Sequence, residues 1–194
     1  MENTIKPVTT ESLDLSQWRT FQKGLSELLS IPISLYGSAG EELSPPVNES
    51  PVCRKVKSHP QGCELCRQTY RNAVGQVFEK GKTYIYKCHT NQYIFAVPVT
   101  LGPAFSVVVV GGHAYLSGSE LEEFSRGVAH LGFDAEGVSD LSRRLKTIPP
   151  RSVFTLPAII KNLSAPFLKC LYSTSPSGKA VNGAAEPNAR RNGP

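Results

Sequence analysis

Thr83-Tyr-Ile-Tyr-Lys-Cys88-His-Thr-Asn-Gln92-Tyr-Ile-Phe-Ala-Val-Pro-Val-Thr100-Leu-Gly-Pro-Ala104-Phe-Ser-Val-Val-Val-Val110-Gly-Gly-His-Ala114 is the stretch that decides the fold. Side chains of a strand alternate between two faces. Thr83 to Cys88 puts Tyr84, Tyr86 and Cys88 on one face and Thr83, Ile85 and Lys87 on the other. His89 to Gln92 is short enough for a hairpin loop. Tyr93 to Thr100 sets Tyr93, Phe95, Val97 and Val99 on one face, and Leu101 to Ala104 carries the glycine and proline of a second turn. Phe105 to Ala114, with four consecutive valines, is the strongest strand. Strands joined in this way make an antiparallel meander. The Gly111-Gly112 pair lacks the lysine and the spacing of a phosphate loop and reads instead as a bulge or a close backbone contact.

The flanks are helical. Upstream, Glu64 to Lys80 places Cys66, Tyr70, Ala73, Val74 and Val77 on one face, and Gly81 stands where a helix ends. Val52 to Lys57 reads as a helical turn, broken by His59-Pro-Gln-Gly62. Cys63 then falls just before a first helical turn and Cys66 within it, where backbone N–H groups favour a thiolate. Glu41 to Pro51 reads as a proline-rich loop, Gly37 to Gly40 as a turn, and Ile31 to Tyr36 as a strand beside the meander. Leu15 to Ser30 is a helix with Trp18, Phe21, Leu25 and Leu28 or Leu29 on its apolar stripe and Ser16 as its N-cap.

Downstream, Ser117 to Leu131 is a helix with a Ser117–Glu120 capping box, stopped by Gly132, and Val138 to Lys146 is a shorter one. A last helix fits Leu156 to Leu171. Leu156, Ile160, Leu163, Phe167 and Cys170 or Leu171 step along it as a coiled-coil seam does, although Pro166 conflicts with a helix interior. Residues 1–12 are polar and expected to be flexible. Residues 173–194 carry almost no large apolar side chain and are expected to be disordered. The order predicts an α+β domain, an antiparallel sheet covered by helices on one side. Its variable inner face suits a small-ligand sensor.

A chain of 194 residues with a formal net charge of +5 fits one domain and its tails. The basic residues are scattered and form no stripe interleaved with aromatics, which argues against direct nucleic-acid binding. No apolar run is long enough to span a bilayer, and the N-terminus has no signal-peptide segment. A cytoplasmic location follows as the expectation, and there structural disulfides do not persist.

Four of the five cysteines, Cys53, Cys63, Cys66 and Cys88, fall between positions 53 and 88. Three chemistries answer to that clustering. Four thiolates could hold zinc or a [4Fe–4S] cluster, with His89 or His59 able to replace a sulfur. Cys63 and Cys66 could form a redox dithiol, although no buried strand precedes them. Or all four could be small buried apolar residues. Tyr84, Tyr86, Tyr93, Phe95 and His113 could line an apolar cavity, where the alternative for each is a place in the core. No Ser/His/Asp set and no paired carboxylates suggest an enzyme.

The run through Pro51-Val-Cys53, Cys63-Glu-Leu-Cys66-Arg, Gly81-Lys-Thr-Tyr84-Ile-Tyr86-Lys-Cys88-His89, Phe95-Ala-Val-Pro98 and Val110-Gly-Gly112 resembles the PocR-type sensory domain, over residues 13–172. That resemblance implies a PAS-like variant fold with a C-terminal signalling helix. It implies a non-enzymatic sensor of small molecules, including simple hydrocarbon derivatives, set ahead of a kinase, cyclase or DNA-binding output. It carries over a metal centre on Cys53, Cys63, Cys66 and Cys88 as a possibility. No output domain follows the last helix in this sequence, so the output is expected to lie on a partner or on a longer chain, with the sensor working as a homodimer. The competing functions are a thiol–disulfide oxidoreductase using Cys63 and Cys66 and a zinc-stabilised interaction module.

Overall fold

A computed structural model describes residues 13–102, 105–115, 121–144 and 146–174. Helix α1 (Leu15–Leu29) leads into strand β1 (Ile33–Tyr36) and strand β2 (Glu42–Val47). Helices α2 (Pro51–Lys57) and α3 (Pro60–Lys80) follow, then β3 (Tyr84–Lys87), β4 (Tyr93–Gly102) and β5 (Phe105–Ala114). Helices α4 (Leu121–Ala129), α5 (Ala135–Arg143) and α6 (Ser152–Thr174) complete the domain. The strands form one antiparallel sheet in the order β2-β1-β5-β4-β3. The fold is α+β and PAS-like, as the alternation in the meander predicts.

Both faces of the sheet are covered, not one. Ile33, Leu35, Phe95, Val97, Val99, Val107 and Val109 bury one face against Trp18 and Leu25 of α1 and Ile160 and Leu168 of α6. Tyr36, Ile94, Ala96, Val108 and Val110 bury the other against Tyr70, Ala73, Val74 and Val77 of α3. A third cluster joins Val52 and Val56 of α2 to Tyr115, to Phe124 and Val128 of α4, and to Leu131 and Leu141. Alternation predicts which residues share a face, but it does not reveal how many helices each face receives.

Several boundaries differ from the sequence reading, each for a physical reason. The stretch read as a proline-rich loop contains strand β2. Its Pro45 and Pro46 are tolerated because β2 is an edge strand. Buried Gln22 of α1 donates to the carbonyls of Ile33 (2.5 Å) and Pro45 (2.8 Å) and accepts from Ser44 Oγ (2.6 Å), which ties the irregular β1–β2 pairing to the helix. The N-cap of α1 is Asp14, whose carboxylate accepts from the N–H groups of Ser16 and Gln17. Pro60 does not break α3 but begins it, where its missing N–H costs nothing. Cys63 therefore lies inside the first turns of α3 and Cys66 a turn deeper. Helix α5 starts at Ala135, with Asp134 accepting from the Gly137 N–H. Helix α6 starts at Ser152 and runs to Thr174 with both Pro157 and Pro166 inside it. The expected capping box of Ser117 and Glu120, the tail beyond residue 174 and residues 1–12 lie outside the described residues.

Candidate functional site: a hollow under the β3–β4 turn

The site is built where α2, α3, the β3–β4 turn and the end of β5 meet. The turn is held from two sides. Cys88 N–H donates to the Gln92 carbonyl and Asn91 N–H to the Cys88 carbonyl, with Asn91 at φ 61°. Helix α4 presses on its outside. Asn91 Nδ2 donates to the Glu123 carbonyl at 2.7 Å, and Lys87 pairs with the Glu123 carboxylate at 2.7 Å. Gly127 permits that approach, since a Cβ there would stand 2.9 Å from the His89 carbonyl oxygen.

The other wall depends on an irregularity in β5. Ala114 pairs with Tyr93 and Gly112 with Ile94, so His113 is an extra residue, a β-bulge. In regular alternation His113 would share the face of Val107 and Val109, towards α1 and α6. The bulge instead places it among residues of the α3 face. Its backbone is left-handed, φ 63°, and it follows Gly112 at φ 127°. A left-handed non-glycine residue costs about 1–3 kcal/mol and persists only where its surroundings enforce it. The predicted Gly111-Gly112 bulge is present, and its consequence is the position of a histidine.

A hollow of about 10 Å3, room for little more than one water, is lined by Cys53, Val56 and Cys66 on the helices, by Cys88, His89, Thr90 and Gln92 on the turn, and by Tyr70 and His113. A larger cleft of about 370 Å3 opens beside it, bounded by Tyr36, Lys57, Cys63, Arg67 and Arg71. Cys66 and Tyr70 border both. Three of the four clustered cysteines thus share one hollow, while Cys63 faces the outer cleft with Arg67 Nη2 4.0 Å from its sulfur. Cys66 Sγ lies 3.2 Å from His89 Nε2. A polar chain links the other two thiols: Cys88 Sγ to Thr90 Oγ1 at 3.1 Å, Thr90 Oγ1 to Gln92 Nε2 at 2.9 Å, and Gln92 Nε2 to Cys53 Sγ at 3.8 Å. Across the hollow, Tyr70 Oη and His113 Nε2 share a hydrogen bond of 2.6 Å, and His113 Nδ1 has no partner.

Burial sets the charge state. It pushes the Cys53 thiol up to about 11 and Cys66 up to about 12, and it raises Cys88 as well. It pushes His89 down to about 4, and it pushes His113, with the Lys57 charge adding to it, down to about 3. At neutral pH the hollow therefore holds neutral thiols and neutral imidazoles. The expected thiolate at Cys66 is absent, because burial outweighs a helix end that the cysteine has already passed. A thiol held that high is a poor nucleophile for disulfide exchange.

The aromatic candidates divide between the faces. Tyr84 and Tyr86 stack with centroids 5.3 Å apart on the α3 side, while Phe95 is fully buried towards α1 and α6, with Tyr93 beside it. Only His113 of that set lines the hollow. Thr90 and Gln92 escape a sequence reading, and Tyr70 is read there only as part of the apolar face of α3. The first two are polar residues in a turn, and nothing local marks them as buried. Three thiols and an imidazole are a donor set that zinc accepts. As placed, no three His, Cys, Asp or Glu side chains among the described residues stand close enough to hold an ion together.

Comparison with known proteins settles the family. The model of the PocR family, described as the sensory domain found in PocR, matches residues 11–167. The chain belongs to the PocR sensory-domain family. It is 28% identical over 78 residues to the regulatory protein PocR of Salmonella typhimurium strain LT2, a match that covers 40% of this chain and 26% of that protein. The chain thus matches about a quarter of that relative's length. No solved structure matches it. No described helix is long and apolar enough to cross a membrane.

Proposed function

We propose that this PocR-family domain is a non-enzymatic, cytoplasmic sensor of a small oxygen-bearing molecule, held between α3 and the sheet and read by His113. One observation carries the reading. His113 is 96% buried, counting from its 4% exposure, and strained, and it keeps an unpaired ring nitrogen at the wall of a hollow. The Tyr70 hydroxyl stays protonated, and its hydrogen bond to Nε2 leaves Nδ1 unpaired in either imidazole tautomer. An unsatisfied buried donor or acceptor costs about 1–3 kcal/mol, and a ligand hydroxyl, which both donates and accepts, removes that cost. The hollow itself admits little more than one water-sized oxygen group, so the rest of the ligand would lie in the 370 Å3 cleft that shares Cys66 and Tyr70 with it.

The route outward is short. Gly111 stands two residues before His113 on β5. A Cβ there would lie 3.1 Å from Ile160 Cδ1 of α6 and 3.3 Å from the Pro32 carbonyl oxygen. A shift of the bulge therefore bears directly on α6, which passes it to a regulatory output: a kinase, a cyclase or a transcription regulator. The raised pKa of Cys66, one thiol of the Cys63–Cys66 pair, weighs against the oxidoreductase alternative.

Thermal unfolding with a panel of short-chain diols and alcohols tests the proposal. At least one should raise the melting temperature of the wild type, and His113→Asn should abolish that shift. Asparagine tolerates the left-handed backbone but cannot reproduce the imidazole contact. A panel without effect on the wild type, or an equal shift in both proteins, overturns it.

A further inference from the structure

We infer that a separate cleft, built by Arg54, Arg144 and Lys146 beside His113, binds a small organic anion, a carboxylate or phosphate carried on an apolar body. This goes beyond the ligand of the hollow and does not depend on it. The cleft holds about 690 Å3 and lies between the end of β2, the start of α2 and the segment after α5. Small-molecule sites typically occupy about 300–1,000 Å3. His113 lines this cleft as well as the hollow, and no other residue is common to the two.

The charge of the cleft is one-sided. Three cations line it against one carboxylate, Glu49, and Glu49 pairs at 2.5 Å with Lys57, which lies outside the cleft. Arg54 Nη1 donates to the Glu49 carbonyl, a contact that positions the guanidinium without neutralising it. Arg144 has an acid, Asp140, at 3.2 Å, but Asp140 also reaches Arg143. Lys146 has none. It is half-buried and pairs with no carboxylate among the described residues, and burial lowers its pKa. Taking a cation out of water without a partner is costly, and a bound anion supplies that partner. The backbone holds the lysine in place. Its carbonyl accepts from the Tyr115 N–H at 2.8 Å, and the Ile148 N–H donates to the Tyr115 carbonyl at 2.7 Å, just beyond the end of β5. The rest of the wall suits an apolar body. Pro32, Pro46, Val47 and Pro51 line it, and prolines lose no rotamer freedom when a ligand packs on them. An arginine fork takes two oxygens of a carboxylate or phosphate at once, and a lysine adds a point charge.

Calorimetric titration of the full chain at fixed ionic strength, with inorganic phosphate and with benzoate in separate runs, tests the site. At least one should bind one-to-one with a dissociation constant below about 1 mM. Lys146→Gln and Arg54→Gln should each weaken binding at least ten-fold, and Lys146→Arg should keep it. Arg19→Gln removes the same charge from the exposed side of α1 and should leave binding unchanged. Binding of phosphate alone identifies a phosphoryl ligand. Binding of benzoate alone identifies a carboxylate on an apolar body, and binding of both a site that reads negative charge first. The wild-type titration holds even if a variant fails to fold. No saturable binding of either probe, unchanged affinity in Lys146→Gln and Arg54→Gln, or an equal loss in Arg19→Gln each overturns the assignment.

Discussion

His113 shows how much one residue can carry. Burial and the nearby Lys57 charge push its imidazole down to about 3, whereas in the unfolded chain it titrates near 6.5. The folded-state value is depressed, and the fold excludes the proton. Stability from this group is therefore complete above about pH 6.5 and is lost as pH falls towards 3. The slope is about 1.4 kcal/mol per pH unit for one proton. His89 acts in the same direction, more weakly because it is only half-buried. Urea unfolding at pH 7, 6 and 5 should show the slope in the wild type and a slope smaller by close to one proton in His113→Asn. An unchanged slope would mean that His113 is not held neutral. Gly112 makes a second prediction. A Cβ would stand 2.6 Å from the Tyr93 carbonyl oxygen, at a φ of 127° that side chains rarely adopt. Gly112→Ala should cost at least about 2 kcal/mol in the same assay, and a neutral result would show that the bulge can rearrange. The glycine pair made an irregularity legible. The face that receives His113 was not legible, because that depends on which residue the opposite strand leaves unpaired.

Among the elements, α6 departs furthest from its sequence. The spacing of Leu156, Ile160, Leu163, Phe167 and Cys170 or Leu171 predicts one seam. The buried face instead follows Val153, Pro157, Ile160, Ser164, Leu168 and Leu171, and leaves Leu163 and Cys170 exposed. Both rows step by threes and fours, and the helix carries apolar residues on both rows. Periodicity then cannot say which row meets the sheet. The buried row includes two small members, Pro157 and Ser164. Pro166 survives in the interior because it is exposed and the Asn162 carbonyl it leaves without a helical donor can be hydrated. Pro166→Ala should restore that hydrogen bond and stabilise the domain by about 1–2 kcal/mol, less than the full propensity difference of about 3. Destabilisation would show that α6 needs the proline to follow the sheet. Strand β2 gives the converse lesson. Its prolines read as a loop, and only the edge position, a property of the assembled sheet, makes them a strand.

At the scale of the whole molecule, the second apolar row on α6 has nothing to cover it among the described residues. Phe154 is 74% exposed, Leu163 43% and Ile159 40%. Ile159, Leu163, Pro166 and Cys170 step by four, three and four, the spacing with which helices pair. A helix apolar on both sides has two faces to bury, and a second copy of the same helix is one partner that fits. Pairing of two α6 helices about a two-fold axis would bury the row and set the two sensors side by side, with the helix that touches Gly111 at the joint. The charge on α6 makes the prediction specific. Lys161 and Lys169 are exposed, and residues 152–174 contain no acidic side chain, so two such helices repel each other until salt screens them. Light scattering after gel filtration should find a dimer at tens of micromolar whose dissociation constant falls as salt rises from about 0.05 to 0.5 M. Ile159→Asp with Leu163→Asp should give a monomer with unchanged circular dichroism, since neither side chain supports the core. A wild type that stays monomeric at high salt, or a double variant that remains dimeric, would place the output contact on another face and leave α6 as packing for the sheet alone.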